Sequence, residues 1–149
     1  MDRTSRQIVG DAAEELVATN LIALGWRVLG RNVHAGRSEL DIVAIDPGPP
    51  ARLVIVEVRW RRSRSFGLPE ETLDYRKRAH LRAGVGRLLE EGRLPGGEPL
   101  PSLPVALDFA VVEPGDVAGG RGGGGGGSGG RKGSGGAAPV VRFYRDALS

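Results

Sequence analysis

The chain has 149 residues, 40% of them hydrophobic, with a formal net charge of +3 and a pI of ≈ 9.9. That length suits one domain with one core, and the basic excess gathers in "RWRRSRS" (Arg59–Ser65) and "RKRAHLR" (Arg76–Arg82). The absence of cysteine excludes disulfides and thiolate metal sites; the opening "MDRTSRQIVGD" lacks the apolar stretch of a secretory signal and no run approaches a membrane span, so a soluble cytoplasmic protein is expected.

In chain order, Gln7–Leu24 repeats apolar residues at three- and four-residue steps (Ile8, Ala12, Ala13, Leu16, Val17, Leu21, Leu24) and reads as a helix. Gly25 is placed to end it. A short strand is expected over Trp26–Leu29. Ser38–Asp46 reads as a second strand, with Leu40, Ile42 and Ala44 on one face. "DPGPP" (Asp46–Pro50) is a turn that neither a helix nor a central strand would cross. Leu53–Trp60 is the third strand, apolar on both faces up to Glu57, as a covered central strand should be. The short connection favours an antiparallel hairpin between the second and third strands.

Phe66–Pro69 reads as a loop, and a helix is expected from about Thr72 to Glu90, carrying Leu73, Leu81, Val85, Leu88 and Leu89. Residues 93–104 form a Pro/Gly-rich linker. Val105–Val112 and Val140–Tyr144 are two further strands. Between them lies "GGRGGGGGGSGGRKGSGG" (Gly119–Gly136), which offers no side chains to bury. A disordered loop within the domain is expected over 115–138, and loop-closure entropy grows slowly enough for the fold to carry it.

Acids on apolar strands need an explanation. Alternation puts Glu39 and Asp41 on one face of their strand, and Glu57 and Arg59 on one face of theirs. If the strands pair, Asp41 and Glu57 stand side by side. Close carboxylates repel, so one takes a proton or a cation lies between them. Magnesium suits such a place, because it takes oxygen ligands, keeps several waters and favours substrate phosphates. Arg59 would grip a phosphate oxygen beside it. The competing reading is a structural ion-pair network joining Glu57 to Arg59 or Arg61. Glu39 is a further ligand or an ion-pair partner of Arg37 or Arg59. Asp108, in an apolar strand, suits a structural hydrogen bond. His34 and His80 read as surface residues, and Trp26 and Trp60 as packing residues.

Several residues recur in an ordered series. Gly10, Glu14, Leu21, Gly25 and Asn32 lead to "ELDIVA" (Glu39–Ala44), "VEVRWRRS" (Val56–Ser63), Phe66-Gly67, Lys77 and "LDFAVV" (Leu107–Val112). The series resembles the YraN family of small bacterial proteins, related to endonucleases. The resemblance implies a single α/β domain with a restriction-endonuclease-like α-β-β-β-α-β core, its mixed central sheet flanked by helices. It implies that Asp41 and Glu57 are metal-binding acids, that Glu14 on the first helix completes the metal site, and that Arg59 occupies the basic catalytic position. The implied activity is Mg²⁺-dependent hydrolysis of phosphodiester bonds in DNA, with Mn²⁺ as a substitute ion. Branched or damaged DNA is the implied substrate, Arg61, Arg62 and Lys77 the grip on its backbone, and a homodimer the assembly of related junction enzymes. Two departures stand out: Leu40 precedes Asp41 where the pattern has proline, and Arg59 replaces the usual lysine. Arginine stays charged and forks onto phosphate, whereas lysine can also move a proton. A catalytically inactive nucleic-acid-binding module, or a scaffold in DNA processing, is the alternative.

Overall fold

The structure, a computed structural model, describes residues 5–61, 75–115 and 138–145. In chain order it runs α1 (Ser5–Ala23), β1 (Arg27–Ala35), β2 (Ser38–Asp46), β3 (Arg52–Trp60), α2 (Tyr75–Glu91), β4 (Val105–Glu113) and β5 (Val140–Tyr144). The expected loop at Phe66–Pro69, the helix onset at Thr72, the Gly-rich segment 116–137 and Arg62 lie outside the described residues.

The strands form one five-stranded sheet in the order β1-β2-β3-β4-β5. β1, β2 and β3 make an antiparallel meander, β3 pairs parallel with β4, and β5 returns antiparallel to β4. The parallel step requires a crossover, which carries α2. The result is an α/β domain with a mixed sheet and two helices, in agreement with the α-β-β-β-α-β core.

Each face of the sheet buries its own core. On the α1 side, Ala13, Val17 and Leu21 pack with Ile42, Ala44, Val54, Val56, Ala110 and Val112. On the α2 side, Leu81 and Leu88 pack with Leu40, Val43, Leu53, Ile55, Phe109 and Val111. β3 contributes to both, which is why its sequence is apolar on both faces. Gly25 ends α1 as its sequence suggests. Its φ is +87°, Trp26 N–H donates to Leu21 O (2.9 Å) and Gly25 N–H to Ile22 O (3.0 Å), the paired bonds of a Schellman cap.

One segment differs from the sequence reading. The first strand does not stop at Leu29 but continues to Ala35. A register shift between Val28 and Gly30 and a positive φ at Asn32 (+49°) interrupt its pattern, yet Val33 and Ala35 still bury against the α2-side core. The Pro/Gly-rich stretch 93–104 lies against the domain: Leu94 is buried, Leu100 and Leu103 pack on the α2-side core, and Leu94 N–H donates to Glu98 O (2.8 Å). Among the described residues no helix is long and apolar enough to cross a membrane.

Candidate active site

The site begins with an irregularity in β2. Its ladder with β3 runs from Asp46↔Arg52 to Ile42↔Val56 and ends there. Its ladder with β1 passes from Arg31↔Ile42 to Val33↔Leu40 with no pair for Asn32 and Asp41. Continued across the gap, these registers set Asp41 opposite Asn32 on one side and Glu57 on the other. Alternation fails at the same point. Leu40 joins the α2-side core and Ile42 the α1-side core, so the expectation that Leu40, Ile42 and Ala44 share a face is corrected. A regular strand would keep them together; this one switches faces around Asp41.

The Asp41 carboxylate fills part of the gap. Its Oδ2 accepts the Val58 N–H at 2.8 Å, where the backbone ladder has stopped. Glu57, one residue earlier on β3, brings its carboxyl within hydrogen-bonding reach of that of Asp41. Two carboxyls can share such a bond only if one of them holds a proton. Burial above all, then the Asp41 charge and this bond, raises the pKa of Glu57 well above the carboxylate range, against a smaller opposing effect of Arg59. From the other face comes Glu14 on α1, whose carboxyl is pushed up to about 7 by burial and by Asp41, while a hydrogen bond from the Asn32 side chain and the charge of Arg31 act the other way. Glu14 Oε2 and Glu57 Oε2 are both buried without a hydrogen-bond partner among the described residues.

Such a set suits a hard divalent cation, which takes oxygen ligands and would remove the need for a shared proton. No three acidic or histidine side chains among the described residues stand close enough to hold one ion together. Magnesium needs only one or two carboxylates when waters and phosphates complete its shell. Asp41 and Glu57 fit that role, and Glu14 stands beside them as a neighbouring carboxyl.

Glu57 and Arg59 open onto a cleft of about 560 Å³ between the sheet and the start of α2, lined also by Glu39, Arg76, Lys77, His80 and Leu81. Arg59 Nη2 is 4.0 Å from Glu57 Oε1, and its buried Nε has no hydrogen-bond partner among the described residues. The ion pair is therefore loose, and it leaves the second Glu57 oxygen unneutralised. Lys77 is exposed on the cleft wall. Arg61 Nη1 lies 3.9 Å from Glu113 Oε1 of β4. Asp108 is fully buried, and His34 is exposed. Sequence reading placed Arg76 in a basic run without singling it out and took His80 for a surface residue; both line the cleft. Their signal is helical spacing: positions 76, 77, 80 and 81 fall on one face of a helix, and that face meets the acidic strand ends.

Residues 13–112, from within α1 almost to the end of β4, match the uncharacterised protein family UPF0102. The chain belongs to that family. A UPF0102 protein of Symbiobacterium thermophilum is 39% identical over 107 residues, covering 72% of this chain and 83% of the relative. One from Dehalococcoides mccartyi is 32% identical over 109 residues, 73% of this chain and 83% of its own. Another, from Desulforamulus reducens, is 42% identical over 77 residues, 52% of this chain and 62% of its own. The UPF0102 match contains Glu14, Asp41, Glu57, Arg59 and Lys77 and ends before the Gly-rich segment.

Proposed function

We propose that this protein is a Mg²⁺-dependent phosphodiesterase acting on DNA, with branched or damaged structures as its substrates and a homodimer as the form that engages a junction. One observation carries the reading. A half-buried acid pair, Asp41 and Glu57, lies beside a loosely paired arginine at the mouth of a cleft whose opposite wall is basic. A phosphodiester is an anion that needs a cationic cradle and, at phosphorus, relief of developing negative charge. When bound at the pair, a divalent ion supplies Lewis-acid stabilisation and lowers the pKa of water. Arg59 offers a fork of donors to the non-bridging oxygens. Arg76 and Lys77 hold the flanking phosphate chain from α2. The apolar cores on either side of β3 fix Glu57 and Arg59 in position.

The test is nicking and junction cleavage by the purified chain with Mg²⁺, with Mn²⁺ and with chelator. Cleavage that needs the ion and is abolished in both Asp41→Ala and Glu57→Ala supports the reading. Absence of cleavage on every substrate, together with no calorimetric ion binding, removes it. Arg59 itself favours a second reading, binding without cleavage, because a guanidinium stays protonated and cannot relay a proton. That reading expects steeply salt-dependent DNA binding and gains if Arg59→Lys creates activity where the natural chain has none.

A further inference from the structure

We propose that the cleft seats one unpaired nucleotide of DNA, with the His80 imidazole as the platform on which its base stacks. The proposal rests on the phosphodiesterase reading above and deepens it, since it names what the site takes beside the cleaved phosphate. Size is the first observation. At about 560 Å³ the cleft falls in the range that encloses a single small-molecule ligand. A base pair stacked between its neighbours has no way into such a space, whereas a nucleotide freed from its partner does. The second observation is the gradation along the α2 wall. Arg76 and Lys77 come first, and one turn on stand His80 and Leu81. Cations suit a phosphate chain. A flat ring beside an aliphatic side chain suits the face of a base, and histidine is among the side chains on which unpaired bases stack.

The ring is open to a ligand, and its turn of helix is held in place. His80 is exposed on the cleft wall, and its ring enters no hydrogen bond or ion pair among the described residues. The bond that ties it to the sheet uses its backbone instead: Ser38 Oγ donates to His80 O at 2.9 Å. Ser38 is buried at the start of β2, so this turn of α2 is fastened to the strand that carries Asp41. Leu81 is anchored in the α2-side core and gives the cleft an apolar patch. From the sheet, Glu57 and the one-third-exposed Arg59 side chain line the same cleft. Groups suited to a phosphate and groups suited to a base thus share one small space, as a single nucleotide requires.

The experiment measures binding of fluorescently labelled DNA by anisotropy, with Ca²⁺ in place of Mg²⁺, for the natural full-length chain, His80→Ala and His80→Phe. The DNA is a single strand of about 16 nucleotides, within the span of single-strand sites, and the blunt duplex of the same sequence. His80→Ala should weaken single-strand binding about tenfold, the scale of one base–aromatic stack, and leave duplex binding and the salt dependence unchanged. His80→Phe, which keeps a ring and removes the imidazole nitrogens, should restore single-strand binding. An equal loss on the duplex, a shallower salt dependence or no rescue by phenylalanine overturns the platform, because His80 would then act as a phosphate contact. Undiminished single-strand affinity in His80→Ala overturns it as well, as does the absence of single-strand binding by the natural chain. None of these outcomes bears on ion-dependent cleavage, so the phosphodiesterase reading stands or falls separately, on the nicking assay with Asp41→Ala and Glu57→Ala.

Discussion

Asp41 does two things with one carboxylate: it accepts the Val58 N–H and it stands against Glu57. The second contact is unfavourable unless a proton or a cation intervenes. In the metal-free chain Glu14 and Glu57 bind protons more tightly folded than unfolded, so their contribution to stability is present in full below the ordinary 4.5 and is lost as pH rises through about 7 for Glu14 and higher for Glu57. Glu57→Gln, which keeps the shape and a donor for Asp41 but carries no charge, should stabilise the metal-free chain by at least about 1 kcal/mol at pH 8, one pKa unit being worth roughly 1.4 kcal/mol. The gain should shrink toward pH 5, as denaturant midpoints at the two pH values would show. Mg²⁺ should raise the Tm of the natural chain at pH 8 and leave Glu57→Gln nearly unmoved. The acids themselves were legible in the sequence, because charge on an apolar strand has few explanations. The register gap beside Asp41 was not, since the sequence does not show which residue of the partner strand Asn32 will face.

The elements most visible in the sequence were those with an unbroken period. Ser38–Asp46 and Val140–Tyr144 match the observed strands at both ends, and Gly25 marks the cap of α1. β1 was cut short because Gly30 and Asn32 interrupt its alternation, and the burial of Val33 and Ala35 that restores it depends on α2. The face switch in β2 was hidden, because alternation is a property of regular ladders and this ladder stops. The packing of α2 is also a tertiary matter, and two of its glycines should separate sharply. A Cβ on Gly84 would lie 2.6 Å from Ser38 Cβ and 2.9 Å from Ser38 Oγ, whereas one on Gly86 meets nothing within 4 Å. Ser38 cannot easily yield, since its Oγ donates to His80 O at 2.9 Å. Gly86→Ala should therefore stabilise the fold by up to about 1 kcal/mol through helix propensity. Gly84→Ala should instead cost roughly 1–3 kcal/mol by pushing α2 off β2. Thermal unfolding of the two variants checks the opposite signs, and the wall of the cleft should shift only in the second.

At the scale of the whole chain, β4 and β5 are neighbours in the sheet, with Glu113 opposite Val140, although the Gly-rich segment separates them in sequence. Replacing residues 114–139 with a four-residue hairpin turn should stabilise the domain by about 1.5 kcal/mol from loop-closure entropy alone. Chemical denaturation should show that gain, with Mn²⁺ affinity unchanged. The sheet's mixed direction carries a further consequence, for the route by which the chain folds. Asp41 and Glu57 meet within the β2–β3 hairpin, a short-range pairing, whereas the parallel β3–β4 contact must wait for the crossover that brings α2. Local pairings tend to form early and distant ones late. The mutual repulsion of the two acids is then met on the way into the native state, before the basic wall of the cleft has arrived. Alkaline solution should slow refolding more than it speeds unfolding, and a divalent ion added at the start of refolding should bring the rate back.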